Sequence, residues 1–141
     1  MIARIFIFCL LLIVGCKSNQ VSNLSAIKAS RDEAVVIGKL IQFEDSPAEG
    51  ANCGSEHCFG KIEIEKVQET GQDFTKNFEQ EKPIYAYFTF GADGADSSTH
   101  NGLKYELVAL KQNDKIIATL KLVGEMNSEK LYQVDLYRKL K

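Results

Sequence analysis

Short segments in which apolar and polar residues alternate with a period of about two constrain this chain most. Such alternation covers residues 61–67, 83–90, 115–123 and 132–136, and a run rich in β-branched residues at 35–43 precedes them. Because successive side chains of a strand point to opposite faces, this pattern is typical of half-buried β-strands. The sequence therefore predicts about five or six short strands from Ala34 onward.

Irregular positions within these segments predict bulges or strand ends. Gly38 interrupts the first segment, and Val67 breaks the alternation of the second. Both features are typical of a bulge or bend. Residues 103–111 fit helical spacing through Leu103, Leu107 and Leu110 and also fit alternation, and we favour a strand there.

These strands predict an all-β fold, a small antiparallel β-barrel or sandwich with long loops after the first and third strands. The first strand is long and bent at a glycine, the second and third strands form a pair, and a crossover leads to the last two. This order resembles an OB-fold over residues 34–140. That resemblance implies a ligand surface on the face of strands two and three.

The first sixteen residues have a different character. One cation, Arg4, precedes an uninterrupted apolar run over residues 5–14, and Gly15-Cys16 follows. This run is too short for a membrane-spanning helix, which needs roughly 20 apolar residues. It resembles a bacterial lipoprotein signal peptide that ends in a lipobox, Ile13-Val14-Gly15-Cys16.

The resemblance implies a signal peptide at 1–15, a lipidated Cys16 that opens a flexible tether at 16–33, and a barrel domain at 34–141. Two or three acyl chains would anchor the chain to a membrane without crossing it. In many Gram-negative lipoproteins, an aspartate after the lipidated cysteine is the signal for retention in the inner membrane. Lys17 occupies that position here, which favours anchoring in the outer membrane, facing the periplasm.

The charge balance does not provide the cationic excess that a nucleic-acid-binding surface needs. Removal of residues 1–15 leaves 16 Lys and Arg against 19 Asp and Glu, a net charge of −3. A nucleic-acid-binding surface needs a cationic excess, so we expect no nucleic acid among the partners.

Two cysteines remain in the first long loop after Cys9 leaves with the signal and Cys16 is acylated. In an oxidising compartment, this even remainder predicts a structural disulfide between Cys53 and Cys58. The alternatives are a redox pair or a metal site that adds His57 and His100. Four residues between the cysteines do not match a thioredoxin-like motif, and two histidines from separate loops do not match zinc spacing.

Other candidates carry weaker signals. Asp93 and Asp96 lack the ligand register of a calcium loop, and Ser97 and Ser98 lack a nucleophile motif. Tyr85 and Tyr87 should lie on the outward face of the third strand. There they form a candidate ligand face with His57 or pack against neighbouring strands.

We therefore expect a lipid-anchored envelope lipoprotein that acts as a non-catalytic binding or structural module and needs no cofactor. Its partners would be the membrane and another envelope protein, a peptide or a glycan. The alternatives are a metal-binding or redox lipoprotein using Cys53, His57 and Cys58, and an accessory or inhibitor-like protein for another envelope component.

Overall fold

The computed structural model describes residues 27–45, 53–74 and 83–141. The strands are β1 (Glu33–Glu44), β2 (Phe59–Thr70), β3 (Ile84–Phe88), β4 (Lys115–Met126), β5 (Glu129–Val134) and β6 (Tyr137–Lys139). None of the described ranges holds a helix long and apolar enough to cross a membrane. The predicted signal peptide, Cys16 and the tether up to residue 26 lie outside the described residues.

The strands close into a small barrel, which confirms the predicted all-β class. The order is β1-β2-β3-β5-β4, and an additional pairing of β1 with β4 closes the ring. We expected antiparallel neighbours throughout. The pairing of β3 with β5 is parallel, so the barrel is mixed. Parallel neighbours need a crossover, which the 89–114 connection and β4 provide here. Strand β6 lies beside β4 as a sixth strand.

Alternation places one face of every barrel strand in a common core. The largest fully buried side chains include Leu40, Ile62, Phe88, Ile116, Leu120 and Val134. The predicted irregularities are also present, because the β1–β2 register shifts between Ile37 and Gly38 and again opposite Val67. A Cβ on Gly38 would lie 2.7 Å from the Glu63 carbonyl oxygen, so the strands can approach this closely only at a glycine.

Residues 103–111 form neither a strand nor a helix, so the strand that we favoured is wrong. A single antiparallel bridge joins Leu107 to Ala95. Leu107 and Leu110 are buried in the barrel core, whereas Tyr105 and Val108 are exposed. Isolated apolar residues can enter the core from an irregular backbone. Their spacing here fits a helix and a strand although neither forms, which explains the ambiguous pattern.

The described part of the predicted tether lies against the barrel. Ile27 is 6% exposed and packs with Val35 and Ile117 in a small second cluster. The backbone of Arg31 accepts a hydrogen bond from the Asp73 amide at 2.7 Å. The packed part of the chain therefore extends back at least to Ile27, and residues 27–32 form turns and extended chain rather than a helix.

Candidate binding face

The loop before β2 is closed by the predicted disulfide between Cys53 and Cys58. Their Cα atoms lie 5.7 Å apart, within the usual range for a disulfide, and both residues are buried. Closing so short a loop contributes about 2 kcal/mol in the chain-entropy model. While this bond is intact, neither sulfur is a thiolate that could ligate a metal.

Asp93, in the connection after β3, clamps this disulfide loop to the barrel. Its carboxylate accepts hydrogen bonds from the Ser55 hydroxyl and from the His57 backbone amide, the latter at 2.8 Å. The carboxylate also lies 2.6 Å from His57 Nδ1. Burial raises the pKa of Asp93, but the hydrogen bonds from Ser55 and His57 outweigh it, so the net pKa lies below its ordinary value. The clamp therefore favours an ionised Asp93.

Gly91 allows the two loops to approach each other. Its φ is +77°, and a Cβ there would lie 2.2 Å from the Cβ of Ser55. Only glycine adopts this backbone conformation readily and leaves room for Ser55. The Ala92 amide then donates to the His57 carbonyl at 2.8 Å, which adds a backbone contact to the clamp.

His57 serves this clamp, and Ser55 is not paired with it as a nucleophile. Its ring packs against Phe43 with centroids 4.2 Å apart, and Nδ1 is directed at Asp93. A triad needs the serine hydroxyl on the second ring nitrogen of the histidine. Here the Ser55 hydroxyl and the His57 ring contact the same carboxylate, so they do not form a nucleophile–base pair.

An aromatic surface, which we call the outer patch, covers β2, β3 and β5 beside the clamped loop. It comprises Phe59, Lys61, Tyr85, Tyr87 and Leu131. Phe59 and Tyr87 are cross-strand partners whose ring centroids lie 5.1 Å apart. Lys61 Nζ lies 4.6 Å from the centroid of the Tyr85 ring. Leu131 lies opposite Tyr85 on the parallel neighbour β5. Cross-strand aromatic and cation–π pairs of this kind stabilise a sheet surface.

The outer patch continues onto the disulfide and the β4–β5 hairpin. Cys53, Cys58 and Phe59 form a buried cluster, against which Tyr87, Met126 and Leu131 pack. The hairpin turns at Asn127 and Ser128, both of which have positive φ. The patch is therefore bounded by the first long loop on one side and by this hairpin on the other.

The candidate ligand face predicted from His57, Tyr85 and Tyr87 is only partly assembled. Tyr87 does reach the disulfide cluster, and its side chain is half-buried. Tyr85 points out of the barrel as expected, but it is only 9% exposed. His57 turns towards Phe43 and Asp93, and its side chain remains 36% exposed. Tyr87 is thus partly accessible, whereas Tyr85 is covered.

Lys61 carries the charge of the outer patch. Interaction with the Tyr85 side chain, followed by the nearby Glu44 carboxylate, raises the pKa of Lys61 above its ordinary value. Lys61 Nζ lies 3.5 Å from Glu44 Oε1. A lysine that is held over an aromatic ring keeps its ammonium group in water while its methylene chain covers apolar surface.

The metal alternative involved His100 in addition to Cys53, His57 and Cys58. His100 does lie beside the loop, with Nε2 3.4 Å from the Cys53 carbonyl oxygen and its ring edge-on to Phe90. Within residues 27–45, 53–74 and 83–141, no three His, Cys, Asp or Glu side chains are grouped closely enough to hold a metal ion.

Asp96 organises its own turn. Its carboxylate accepts hydrogen bonds from the Ser98 amide at 2.8 Å and the Thr99 amide at 3.1 Å, and its pKa is lowered first by the Ser98 hydroxyl. Asp93 and Asp96 thus serve different loops and do not converge on one site.

Sequence reasoning missed Asp93 as a clamp and Phe59 and Leu131 as members of the outer patch. Asp93 acts across 36 positions of sequence, so no local pattern relates it to His57. Phe59 directly follows Cys58, and this adjacency was the one available signal for an aromatic residue beneath the disulfide.

Comparison of this chain with protein-family models, with curated proteins and with solved structures finds no match. The fold and the geometry of the outer patch therefore carry the functional argument.

Proposed function

We propose that this protein is a lipid-anchored cell-envelope lipoprotein, acylated at Cys16, whose barrel is a non-catalytic binding module. The outer patch would capture an envelope protein, a peptide or a glycan. The observation that carries the proposal is the half-buried Tyr87 ring, which packs on Phe59 between the clamped disulfide loop and the β4–β5 hairpin. In OB-like barrels, the corresponding face and loops are the usual ligand surface.

The chemistry of the outer patch supports a neutral or peptide-like ligand. Tyr87 offers a flat apolar ring with a polar hydroxyl, which suits stacking on a sugar or a side chain. Gln133, which pairs with Tyr87 across β3 and β5, adds an amide beside it. Lys61 already faces Glu44, and the chain has a net charge of −2, so a polyanion is the less favoured ligand.

A rigid platform favours binding because less conformational entropy is lost on association. The disulfide and the Asp93 clamp hold the loop that borders the patch, and Phe59 packs beneath Tyr87. All of these contacts lie within the chain itself. They support a preformed binding surface.

The binding proposal is tested by a photo-crosslinking residue placed at position 87 of the acylated protein in intact envelopes. A discrete adduct is expected at position 87 but not at Val123, an exposed β4 residue outside the patch. Tyr87→Ser should then weaken binding of the identified partner about fivefold or more, a loss of at least about 1 kcal/mol. Equal adducts at both positions, or unchanged affinity, would refute the patch.

The anchoring proposal is tested independently by metabolic labelling with an alkyne-tagged palmitate. Label and membrane association should both disappear in Cys16→Ser, while Cys53→Ser with Cys58→Ser should keep both. If the Cys16→Ser protein remains labelled and membrane-bound, the lipoprotein assignment is wrong. Free thiols or stoichiometric zinc or copper in protein isolated under acid quench would favour the metal or redox alternative.

A further inference from the structure

A second apolar surface lies between residues 103–111 and the last strand. It is a groove of about 570 Å³, within the size range of small-molecule and acyl-chain sites. Its apolar lining includes Ile27, Val108, Leu136 and Leu140, and it shares no residue with the outer patch. The Tyr137 hydroxyl donates to the Val108 carbonyl at 3.0 Å, so the wall formed by residues 103–111 is held in place.

The wall of this groove exposes two large apolar side chains to solvent. Tyr105 is 53% exposed and Val108 is 45% exposed, although the neighbouring Leu107 is buried. Tyrosine is enriched where proteins meet the interface between lipid and water, because its ring is apolar and its hydroxyl is polar. The groove therefore combines an apolar floor with a ring of the kind found at membrane interfaces.

The rim of the groove is locally cationic although the whole chain has a net charge of −2. Arg138, Lys139 and Lys141 line it, against a single carboxylate side chain, that of Glu106. Lys139 is paired with Asp114 at 2.8 Å. Two more exposed lysines, Lys28 and Lys104, directly follow Ile27 and precede Tyr105 in the chain. Cations beside an apolar surface complement a membrane that carries anionic headgroups.

The position of the groove in the chain connects it to the anchor. Ile27, which lines the groove, follows Cys16 by eleven residues. Even a fully extended chain of that length spans no more than ~40 Å. If Cys16 is acylated, as the proposed function states, this surface is confined near the bilayer.

We propose that the groove, with Tyr105 and its cationic rim, is a membrane-docking surface that binds the anionic phospholipid surface to which Cys16 is anchored. Lys28 and Lys141 contact headgroup phosphates, and Tyr105 and Val108 enter the interfacial layer. The outer patch, built from other residues, remains for partner binding. The inference rests on the proposed lipid anchor, and it adds a defined orientation of the barrel on the membrane.

The absence of tryptophan from the chain allows a direct test. Full-length acylated protein carrying Tyr105→Trp is reconstituted into vesicles of phosphatidylethanolamine and phosphatidylglycerol with brominated acyl chains. The tryptophan at position 105 should show a blue-shifted emission and be quenched at least about twofold by brominated lipid, as expected for an aromatic residue in the interface. Val123→Trp, which replaces another exposed residue, is the matched control and should remain unquenched.

The charge component is tested in the same vesicles. Lys28→Gln with Lys141→Gln, added to Tyr105→Trp, should reduce the quenching, and so should replacement of phosphatidylglycerol by phosphatidylcholine. Removal of two cations elsewhere, Lys66→Gln with Lys130→Gln, should leave it unchanged. Equal quenching of the two sets of variants would overturn the assignment of the cationic rim.

Flotation of the vesicles separates this inference from the proposed function. If the protein floats through its acyl chains but the tryptophan at position 105 is no more quenched than that at position 123, the docking surface is refuted and the anchor stands. If the acyl-labelled protein does not float, the anchor and the docking surface both fall. Quenching at position 105 alone, in floated protein, supports the inference.

Discussion

Strand β3 carries aromatic side chains on both faces, and their surroundings differ. Inside the barrel, Phe88 is fully buried and meets Tyr137 edge-on at 5.7 Å. One residue earlier, Tyr87 points outward, packs on Phe59 and remains half-buried. Phe88 is buried by the barrel core and by Tyr137 of β6. The environment of Tyr87 depends in addition on a separate loop, which the disulfide and Asp93 hold in position.

This difference indicates that the barrel and its outer patch have different sources of stability. The core cluster draws residues from every barrel strand and from residues 92–110, so its loss affects the whole fold. The outer patch rests on neighbouring strands and on a loop closed by one covalent bond. Substitutions inside should therefore unfold the protein, whereas substitutions outside should alter the patch while the barrel persists.

Truncation of the interior aromatic side chain should have the largest effect. Phe88→Ala removes a fully buried ring and leaves a cavity, so we expect the free energy of unfolding to fall by about 3–5 kcal/mol. Urea denaturation followed by circular dichroism measures this loss. Phe88→Leu is the control and should cost clearly less. A loss below about 1 kcal/mol for Phe88→Ala would contradict the tight core.

Removal of the disulfide should have an intermediate effect. Cys53→Ser with Cys58→Ser should lower the free energy of unfolding by about 2 kcal/mol, mainly because the unfolded chain is less constrained. The far-ultraviolet spectrum should still report a folded β-barrel. Wild-type protein under reducing conditions is the matched comparison and should lose a similar amount. Complete unfolding of both would show that the outer loop is required for the barrel itself.

Truncation on the outer face should have a smaller effect on stability. Tyr87→Ser should cost about 0.5–1.5 kcal/mol through its lost pairing with Phe59. Tyr85→Ser should cost more, because Tyr85 is 9% exposed and its ring contacts Lys61. Thermal denaturation of the two single variants gives the order. The opposite order would mean that Tyr87 supports the fold more than its half-buried position indicates.

The Asp93 clamp should produce the smallest effect, and it should depend on pH. Because the folded-state pKa of Asp93 lies below its ordinary value of 3.8, its stabilisation is complete above that pH and is lost as the pH falls through the lower value. The stability difference between wild type and Asp93→Asn should therefore shrink as the pH falls from about 5 towards 2. Urea denaturation across this range measures it. A difference that grows on acidification would contradict the clamp.

Periodicity predicted the strand elements well because burial on one face of a strand leaves a local signal. The alternating segments became β2, β3, β4 and β5, and Gly38 and Val67 marked real register shifts. Residues 103–111 were assigned wrongly, since Leu107 and Leu110 fill the barrel end from an irregular backbone. At such positions, the spacing of apolar residues indicates which side chains are buried but does not indicate whether they lie in a helix, a strand or a loop.

The amino-acid sequence by itself determined the all-β class, and it favoured a small barrel and the pairing of Cys53 with Cys58. The class follows from local alternation, and the pairing was predicted from two remaining cysteines in an expected oxidising compartment. The tertiary structure alone decided that Asp93 clamps His57, that Tyr85 is covered while Tyr87 is partly open, and that Ile27 and Leu140 line one groove. These contacts join residues far apart in the chain, and their geometry is set by closure of the barrel, which no local pattern encodes.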